Sequence, residues 1–247
     1  MKVWEPCRGR TKNLRTESRA GPEKNAAGAL RHEEKHEISP MDCVILRSRL
    51  RAALHADPHG DNGRYRVRSL YFDNADDKVL REKLEGAPYR EKFRIRFYQG
   101  ECSMLHLEKK SKLIRLCAKL SEPMPEAMCR AVLRGDYDAL REGGPLCKEL
   151  LRGIRTQQLR PRTVVDYERE AFVWQPGNIR VTLDSDIRAG LSPERFLSPG
   201  VPEPTAAEAV LEVKYDAFLP DFVRDLVQLP NRRTAAFSKY AVCRRFG

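Results

Sequence analysis

Residues 89–98 read Tyr-Arg-Glu-Lys-Phe-Arg-Ile-Arg-Phe-Tyr. Successive side chains on a strand point to opposite faces. Arg90, Lys92, Arg94 and Arg96 therefore share one face, and Phe93, Ile95 and Phe97 share the other. Such a strand has one cationic face and one core face. The pattern recurs in Arg64, Arg66 and Arg68, in His106, Glu108, Lys110 and Lys112, and in Arg31, Glu33, Lys35 and Glu37. Glu212 and Lys214 lie opposite Leu211, Val213 and Tyr215, and Arg180, Thr182 and Asp184 oppose Ile179, Val181 and Leu183. Like charges facing each other across strands destabilise a sheet. Stacked basic rows therefore need interleaved carboxylates or an anion between them. Either the rows are solvated outer faces, or they line the interior of a barrel. A lining of Arg and Lys with a few Glu and Asp suits a polyphosphate chain with metal ions, because the forked guanidinium grips phosphate oxygens.

The remaining punctuation is consistent with such a sheet. Strands are expected at 31–38, 64–73, 89–98, 104–112, 113–121, 162–173, 179–187 and 209–215. A turn at Gly100 would join the third and fourth, and Pro176-Gly177 the sixth and seventh. Ser39-Pro40 predicts a helix start, with Val44, Ile45, Leu46, Leu50 and Leu54 as its apolar face. Residues 124–158 carry helical patterning broken at Gly135 and at Gly143-Gly144-Pro145. Residues 189–206, with four prolines, read as a loop. Short helices are expected at 218–229 and 237–246. This is an α+β chain built on an antiparallel β-barrel or sandwich.

The formal net charge is +11 over 247 residues, which predicts an anionic partner. Residues 1–29 hold seven Lys or Arg and three Glu with few large apolar residues, and are expected to be a disordered basic tail. No apolar run approaches a bilayer span, and no signal-peptide core precedes the basic start. A soluble, cytoplasmic protein is expected. The seven cysteines form no C-x-x-C pair, so reduced thiols are expected rather than a zinc site. Nucleic acid is a poor fit as partner, since the chain lacks a basic recognition helix or an aromatic stacking motif.

Nine short segments sharpen the reading. In order they are Arg31-His-Glu-Glu-Lys35, Ser69-Leu-Tyr-Phe-Asp73, Lys83-Leu-Glu-Gly86, Phe93-Arg-Ile-Arg-Phe-Tyr98, Leu107-Glu-Lys-Lys110, Tyr167-Glu-Arg-Glu-Ala-Phe172, Arg180-Val-Thr-Leu-Asp184, Leu211-Glu-Val-Lys214 and Ser238-Lys-Tyr240. The series resembles the polyphosphate polymerase domain of the vacuolar transporter chaperone (VTC) complex and its bacterial relatives, which are triphosphate tunnel metalloenzymes. The resemblance implies an eight-stranded antiparallel β tunnel with peripheral helices over residues 30–247. It also implies transfer of the γ-phosphate of ATP to a growing inorganic polyphosphate chain, assisted by Mn²⁺ or Mg²⁺. The fungal relatives carry membrane spans, so coupling to transport here would need a separate membrane partner.

Matched by motif, the resemblance puts Lys35, Arg94, Arg96, Lys110, Arg169 and Lys239 in catalytic positions. Lys83, Arg115, Arg180 and Ser238 fall on substrate-binding positions, and Glu212 on the metal ligand, with Glu108 and Asp184 as weaker metal candidates. Arg66 and Lys214, from the other charged rows, complete the expected substrate contacts. One departure stands out. The hydrolases of the superfamily carry Glu-x-Glu-x-Lys on the first strand, where this chain has Arg31-x-Glu33-x-Lys35. Loss of that carboxylate favours a polymerase over a triphosphate hydrolase. Glu33 and Glu37 keep the hydrolase open, and a non-catalytic polyphosphate-binding module is a further alternative. His32 and His36, opposite Lys35, are expected to be surface or packing residues. Tyr71 and Phe72 are expected to pack in the core and tunnel wall.

Overall fold

The computed structural model describes residues 31–98, 104–113, 116–190, 192–198, 200, 202–205, 209–229 and 237–245. The expected tail, the Gly100 turn and Arg115 lie outside them. The strands are β1 (His32–Ile38), β2 (His55–Ala56), β3 (Arg64–Asp73), β4 (Tyr89–Tyr98), β5 (Leu105–Leu113), β6 (Leu116–Met124), β7 (Arg160–Trp174), β8 (Ile179–Gly190), β9 (Glu203–Pro204) and β10 (Ala209–Tyr215). The helices are α1 (Pro40–Ala53), α2 (Lys78–Leu84), α3 (Glu126–Leu133), α4 (Pro145–Thr156), α5 (Asp221–Val227) and α6 (Lys239–Arg245).

Eight long strands form one antiparallel sheet in the order β1-β10-β8-β7-β3-β4-β5-β6, with the two-residue strands β2 and β9 on β7 and β8. The sheet curls into a tunnel whose hydrogen-bonded ladder, among the described residues, does not close along its length. There its edges meet at a bridge between Arg31 and Cys117. Beside that bridge, an ion pair from Lys110 on β5 to Glu33 on β1 spans the seam. The fold is α+β, with the helices outside or at the end of the tunnel. Among the described residues no helix is long and apolar enough to cross a membrane.

Each helix is placed by its sequence and then by its partners. Ser39 accepts a hydrogen bond from the Asp42 amide, and the Asp42 carboxylate accepts one from the Ser39 amide. This reciprocal cap contributes about 1 kcal/mol. The buried face of α1 is Cys43, Leu46 and Leu50, continued by Leu54, which cover Val181, Leu183, Leu211 and Val213 on the outer side of the sheet. Val44 and Ile45, expected on that face, are exposed. Helices α3 and α4 cover the outer side of β4 and β5, against Phe93, Ile95, Phe97, Leu105 and Leu107. The Glu122 carboxylate caps α4 by accepting from the Gly144 and Leu146 amides at 2.8 and 2.9 Å. A Cβ on Gly144 would lie 2.6 Å from that carboxylate, so the approach requires glycine there.

Helix α2 has no local signal that the sequence reading caught. Only Val79 is buried, and Asp77 makes no side-chain cap. The start of α2 is held instead by Asp73, the last residue of β3. Its fully buried carboxylate accepts from the amides of Val79 (2.9 Å) and Leu80 (3.2 Å), and from the Tyr240 hydroxyl (2.5 Å) on α6. One carboxylate thus ties the end of a wall strand to both helices that flank the tunnel. β8 runs three residues further than expected, through Gly190.

Candidate functional site

A cavity of about 640 Å³ opens inside the tunnel. Register and alternation decide what lines it. On β3, Tyr71 faces Arg94 of β4 across the ladder and Ser69 faces Arg96. These four therefore share one face, and Tyr71, Arg94 and Arg96 line the cavity. Lys92 and Arg90 continue the β4 row, opposite Lys110 and Lys112 of β5. β7 contributes Tyr167 and Arg169, β1 contributes Glu33 and Lys35, and β10 contributes Glu212 and Lys214. Lys83 enters from α2, and Ser238 and Lys239 from the start of α6. Among the described residues, eleven cationic and three anionic side chains line this volume. Such an imbalance, held in a low-dielectric cavity, is a site for a polyanion.

The buried carboxylates serve to fix the cations. Glu108 accepts from Arg94 Nε at 2.6 Å, and Arg94 Nη1 donates to the Tyr71 hydroxyl at 2.9 Å. Among the described residues, the close partners of Arg96 are neutral, Ser69 at 2.9 Å and the Tyr167 hydroxyl at 3.1 Å, with Glu108 at 4.0 Å. Asp184 accepts a two-pronged bond from Arg169 at 2.7 and 2.8 Å, and pairs with Lys239 at 2.5 Å. Lys35 pairs with Glu33 at 2.6 Å and lies 3.7 Å from Glu212, which pairs with Lys214 at 2.6 Å. Lys83, Arg90, Lys92 and Lys112 have no carboxylate partner among the described residues.

The charge imbalance perturbs the lining groups. Burial, reinforced by Lys110, Lys35 and Arg94, pulls Lys92 down to about 8 against the pull of Tyr71. Burial, with Arg90 and Lys112, pulls Lys83 down to about 8. Burial opposes ionisation of Tyr71, but Arg94, Lys92 and Arg96 outweigh it and bring the phenol down to about 7. Burial likewise opposes ionisation of Glu212, yet Lys214, Lys35 and Arg169 hold it well below the carboxylate range. A group forced toward its neutral form, as Lys92 and Lys83 are, is one that an incoming anion would recharge.

Ten of the expected site residues meet in this cavity: Lys35, Lys83, Arg94, Arg96, Lys110, Arg169, Glu212, Lys214, Ser238 and Lys239. Two do not. Arg66 points to the outer face of β3, because Ser69 and Tyr71 take the inner one, and it pairs with Asp166 and Asp186. Arg180 is bonded to Asp57 at 2.7 Å and to the Tyr65 hydroxyl at 2.7 Å, outside the cavity lining. His32 stacks on Tyr215, away from the lumen. Arg90, Lys92 and Lys112 line the cavity but are not among the expected site residues, although alternation puts them in the rows of Arg94 and Lys110. Alternation puts Tyr167 on the face of Arg169, and Tyr71 is expected in the tunnel wall, but their hydroxyl roles depend on Arg94 and Arg96 of β4.

For a divalent metal, no group of three or more His, Cys, Asp or Glu among the described residues is arranged to hold one. Asp184 and Glu108 are held by arginines at 2.5–2.8 Å. Glu212 is paired only with lysines, Lys214 at 2.6 Å and Lys35 at 3.7 Å, among the described residues, and has Thr182 beside it on β8. Thr182 is buried and, among the described residues, its Oγ1 has no hydrogen-bond partner. One carboxylate and a spare hydroxyl fit a Mg²⁺-like ion that brings phosphate oxygens with it, the usual mode for that ion.

The family model of the VTC domain matches residues 30–246. No curated protein matches the chain. Among solved structures, the proposed adenylyl cyclase HpAC1 from Hippeastrum, described as having a dominant triphosphatase activity, is 16% identical with a TM-score of 0.55, over 87% of this chain and 96% of that one. A proposed adenylate cyclase from Bacillus halodurans is 13% identical with a TM-score of 0.49, over 81% and 87%. PH1819 from Pyrococcus horikoshii is 10% identical with a TM-score of 0.42, over 80% and 84%. At these identities only the first speaks to this chain, and it speaks to the fold.

Proposed function

The chain belongs to the VTC domain family, and from that premise we propose that its lumen is the active site of a polyphosphate polymerase fed by ATP. The observation that carries the proposal is the cavity itself, lined among the described residues by eleven cations against three carboxylates. In the reaction, a terminal oxygen of the growing chain forms a bond to the γ-phosphorus of ATP. The bond from that phosphorus to the β–γ bridging oxygen breaks, ADP leaves, and the chain is one phosphate longer.

Phosphoryl transfer asks the protein for positioning and charge neutralisation more than for covalent chemistry. Arg94 is suited to this because Glu108 and Tyr71 fix its guanidinium before any ligand arrives. Arg169 is fixed in the same way by Asp184. Donors set in advance cost no reorganisation when charge develops. Arg96, Lys92, Lys83, Arg90 and Lys112 lack a close carboxylate among the described residues, and would take phosphate oxygens as their counterions. Lys110, Lys35 and Lys239 would add contacts along the chain. A bound Mn²⁺ or Mg²⁺, with Glu212 as its protein ligand, would supply further charge neutralisation on the phosphates.

The same geometry argues against hydrolysis as the main reaction. Hydrolysis is helped by a base that accepts a proton from water. Glu33, Glu108, Asp184 and Glu212 are each paired with at least two cations. A phosphate acceptor is already an anion and needs no base. Arg31, at the position of the hydrolase carboxylate, pairs with Asp216 instead. ATP and inorganic polyphosphate are thus the proposed ligands, in the cytoplasm, with any transport left to a separate membrane partner. The test is product analysis after incubation with ATP and Mn²⁺ or Mg²⁺. Polymer with ADP supports the proposal. Free phosphate alone would indicate a triphosphatase, and binding without turnover a polyphosphate-binding module.

A further inference from the structure

Lys35 occupies an unusual place. Its Nζ lies 2.6 Å from Glu33 Oε1 and 3.7 Å from Glu212 Oε2, so one ammonium sits between two lumen carboxylates. The other oxygen of Glu212 is held by Lys214 at 2.6 Å, and the other oxygen of Glu33 by Lys110. The ladder makes this arrangement obligatory. Lys35 faces Glu212 across β1 and β10, and Glu33 faces Lys214, so charge alternates along and across the strands. On the far side of Glu212, Thr182 is 2% exposed and its Oγ1 is without a partner among the described residues. Two carboxylates and a hydroxyl on adjacent strands are oxygen donors that suit a hard divalent cation. An ammonium fills the seat between the carboxylates.

We propose that Lys35 is a resident cation in the metal seat, and that a divalent ion reaches Glu212 only together with an oligophosphate that draws Lys35 and Lys214 away. This rests on reading the lumen as a triphosphate site. Without phosphate, a metal ion entering the seat would expel two ammonium groups into a cavity already crowded with positive charge, and an unpaired buried charge is costly. With phosphate, Lys35 and Lys214 exchange a carboxylate for a phosphate oxygen in a contact of similar strength. The vacated carboxylate takes the metal, and no charge is left unpaired. Metal and polyphosphate are then bound in one coupled step, each raising the affinity of the other by the same factor.

The experiment is Mn²⁺ titration of the purified full chain, followed by calorimetry and by the electron paramagnetic resonance signal of free Mn²⁺. Wild type without ligand is expected to leave Mn²⁺ free, and wild type with tripolyphosphate to hold one ion in a complex weakened by Glu212→Gln. Lys35→Met without ligand is expected to bind one Mn²⁺ about a hundredfold more tightly than wild type, because a unit charge beside the seat has gone. Adding Glu212→Gln to Lys35→Met should abolish that gain. Lys214→Met is a second variant, with a smaller gain, should Lys35→Met not fold. Mn²⁺ uptake by ligand-free wild type that Glu212→Gln removes would overturn the proposal. So would a folded Lys35→Met with no gain. Polymer synthesis alongside either result leaves the polymerase reading standing while the inference fails. A Mn²⁺ gain in Lys35→Met together with no polymer synthesis by wild type supports the seat while the polymerase reading fails.

Discussion

The Tyr71 hydroxyl accepts a hydrogen bond from Arg94 Nη1 at 2.9 Å in the wall of the lumen. The Lys92 ammonium also lies 5.1 Å from the centre of the Tyr71 ring. The phenol is therefore part of the electrostatics of the cavity. Its ionisation near 7 and the loss of the Lys92 proton near 8 both remove positive charge as pH rises. A bound polyanion opposes both events. Affinity for tripolyphosphate should accordingly fall from pH 6 to pH 9. If the anion moves each group by about one pKa unit, each contributes roughly a tenfold loss. Tyr71→Phe should remove the step near 7 and keep the step near 8, as read by binding titrations across pH. An unchanged two-step profile in Tyr71→Phe would contradict this role.

Arg94 and Arg96 lie on the same row but should behave differently when removed. Arg94→Ala strips buried Glu108 of its closest partner, leaving Lys119 at 3.1 Å and Arg96 at 4.0 Å. Breaking a buried pair in this way costs about 3 kcal/mol or more. Arg96→Ala leaves only the neutral Ser69 and Tyr167 hydroxyls without a partner, which costs about 1–3 kcal/mol. Both variants should lose activity. Chemical denaturation should show the larger stability loss for Arg94→Ala, and Arg96→Ala is the cleaner probe of the site.

Asp73 should control the order of the flanking helices. Asp73→Ala removes the acceptor for two α2 amides and for the Tyr240 hydroxyl. Faster hydrogen exchange is expected at Val79 and Leu80, with a stability loss of about 2–4 kcal/mol. Activity should fall as well, since Lys83 and Lys239 reach the lumen from those helices. Unchanged exchange at both amides would refute the link.

Arg66 separates inward from outward rows. Its guanidinium pairs with Asp166 and Asp186 outside the tunnel, and Asp166 keeps Arg68 at 2.7 Å when Arg66 is gone. Arg66→Ala should retain kcat/KM within about twofold of wild type. A loss as deep as that of Arg96→Ala would place Arg66 in the lumen after all.

The contrast between Arg66 and Arg94 marks what a sequence can convey. Alternation separates each strand into two faces, so β3, β4 and β10 are legible to the residue, and the cap at Ser39 is equally local. Alternation does not say which face turns inward. On β3 the arginine row is the outer one, because its partners on β7, Asp166 and Glu168, face outward with it. Motif order supplied the inward rows of β1, β4, β5 and β10. Helix α2 was not legible because its start is held by Asp73 and Asn74, both outside the helix and four or more residues before it. The role of Tyr71 was not legible because it depends on an arginine that register, not sequence spacing, brings opposite. Arg180 has tunnel-face parity, yet Asp57 and Tyr65 hold it outside the cavity.

The central claim is that the lumen joins phosphate to phosphate, and ATP labelled on the γ-phosphate tests it most directly. With Mn²⁺ or Mg²⁺ present, label should appear in a polymer much longer than the triphosphate, with one ADP formed for each phosphate incorporated. Lys239→Ala should stop incorporation. Label recovered only as free phosphate, or ATP bound and returned intact, would contradict the account.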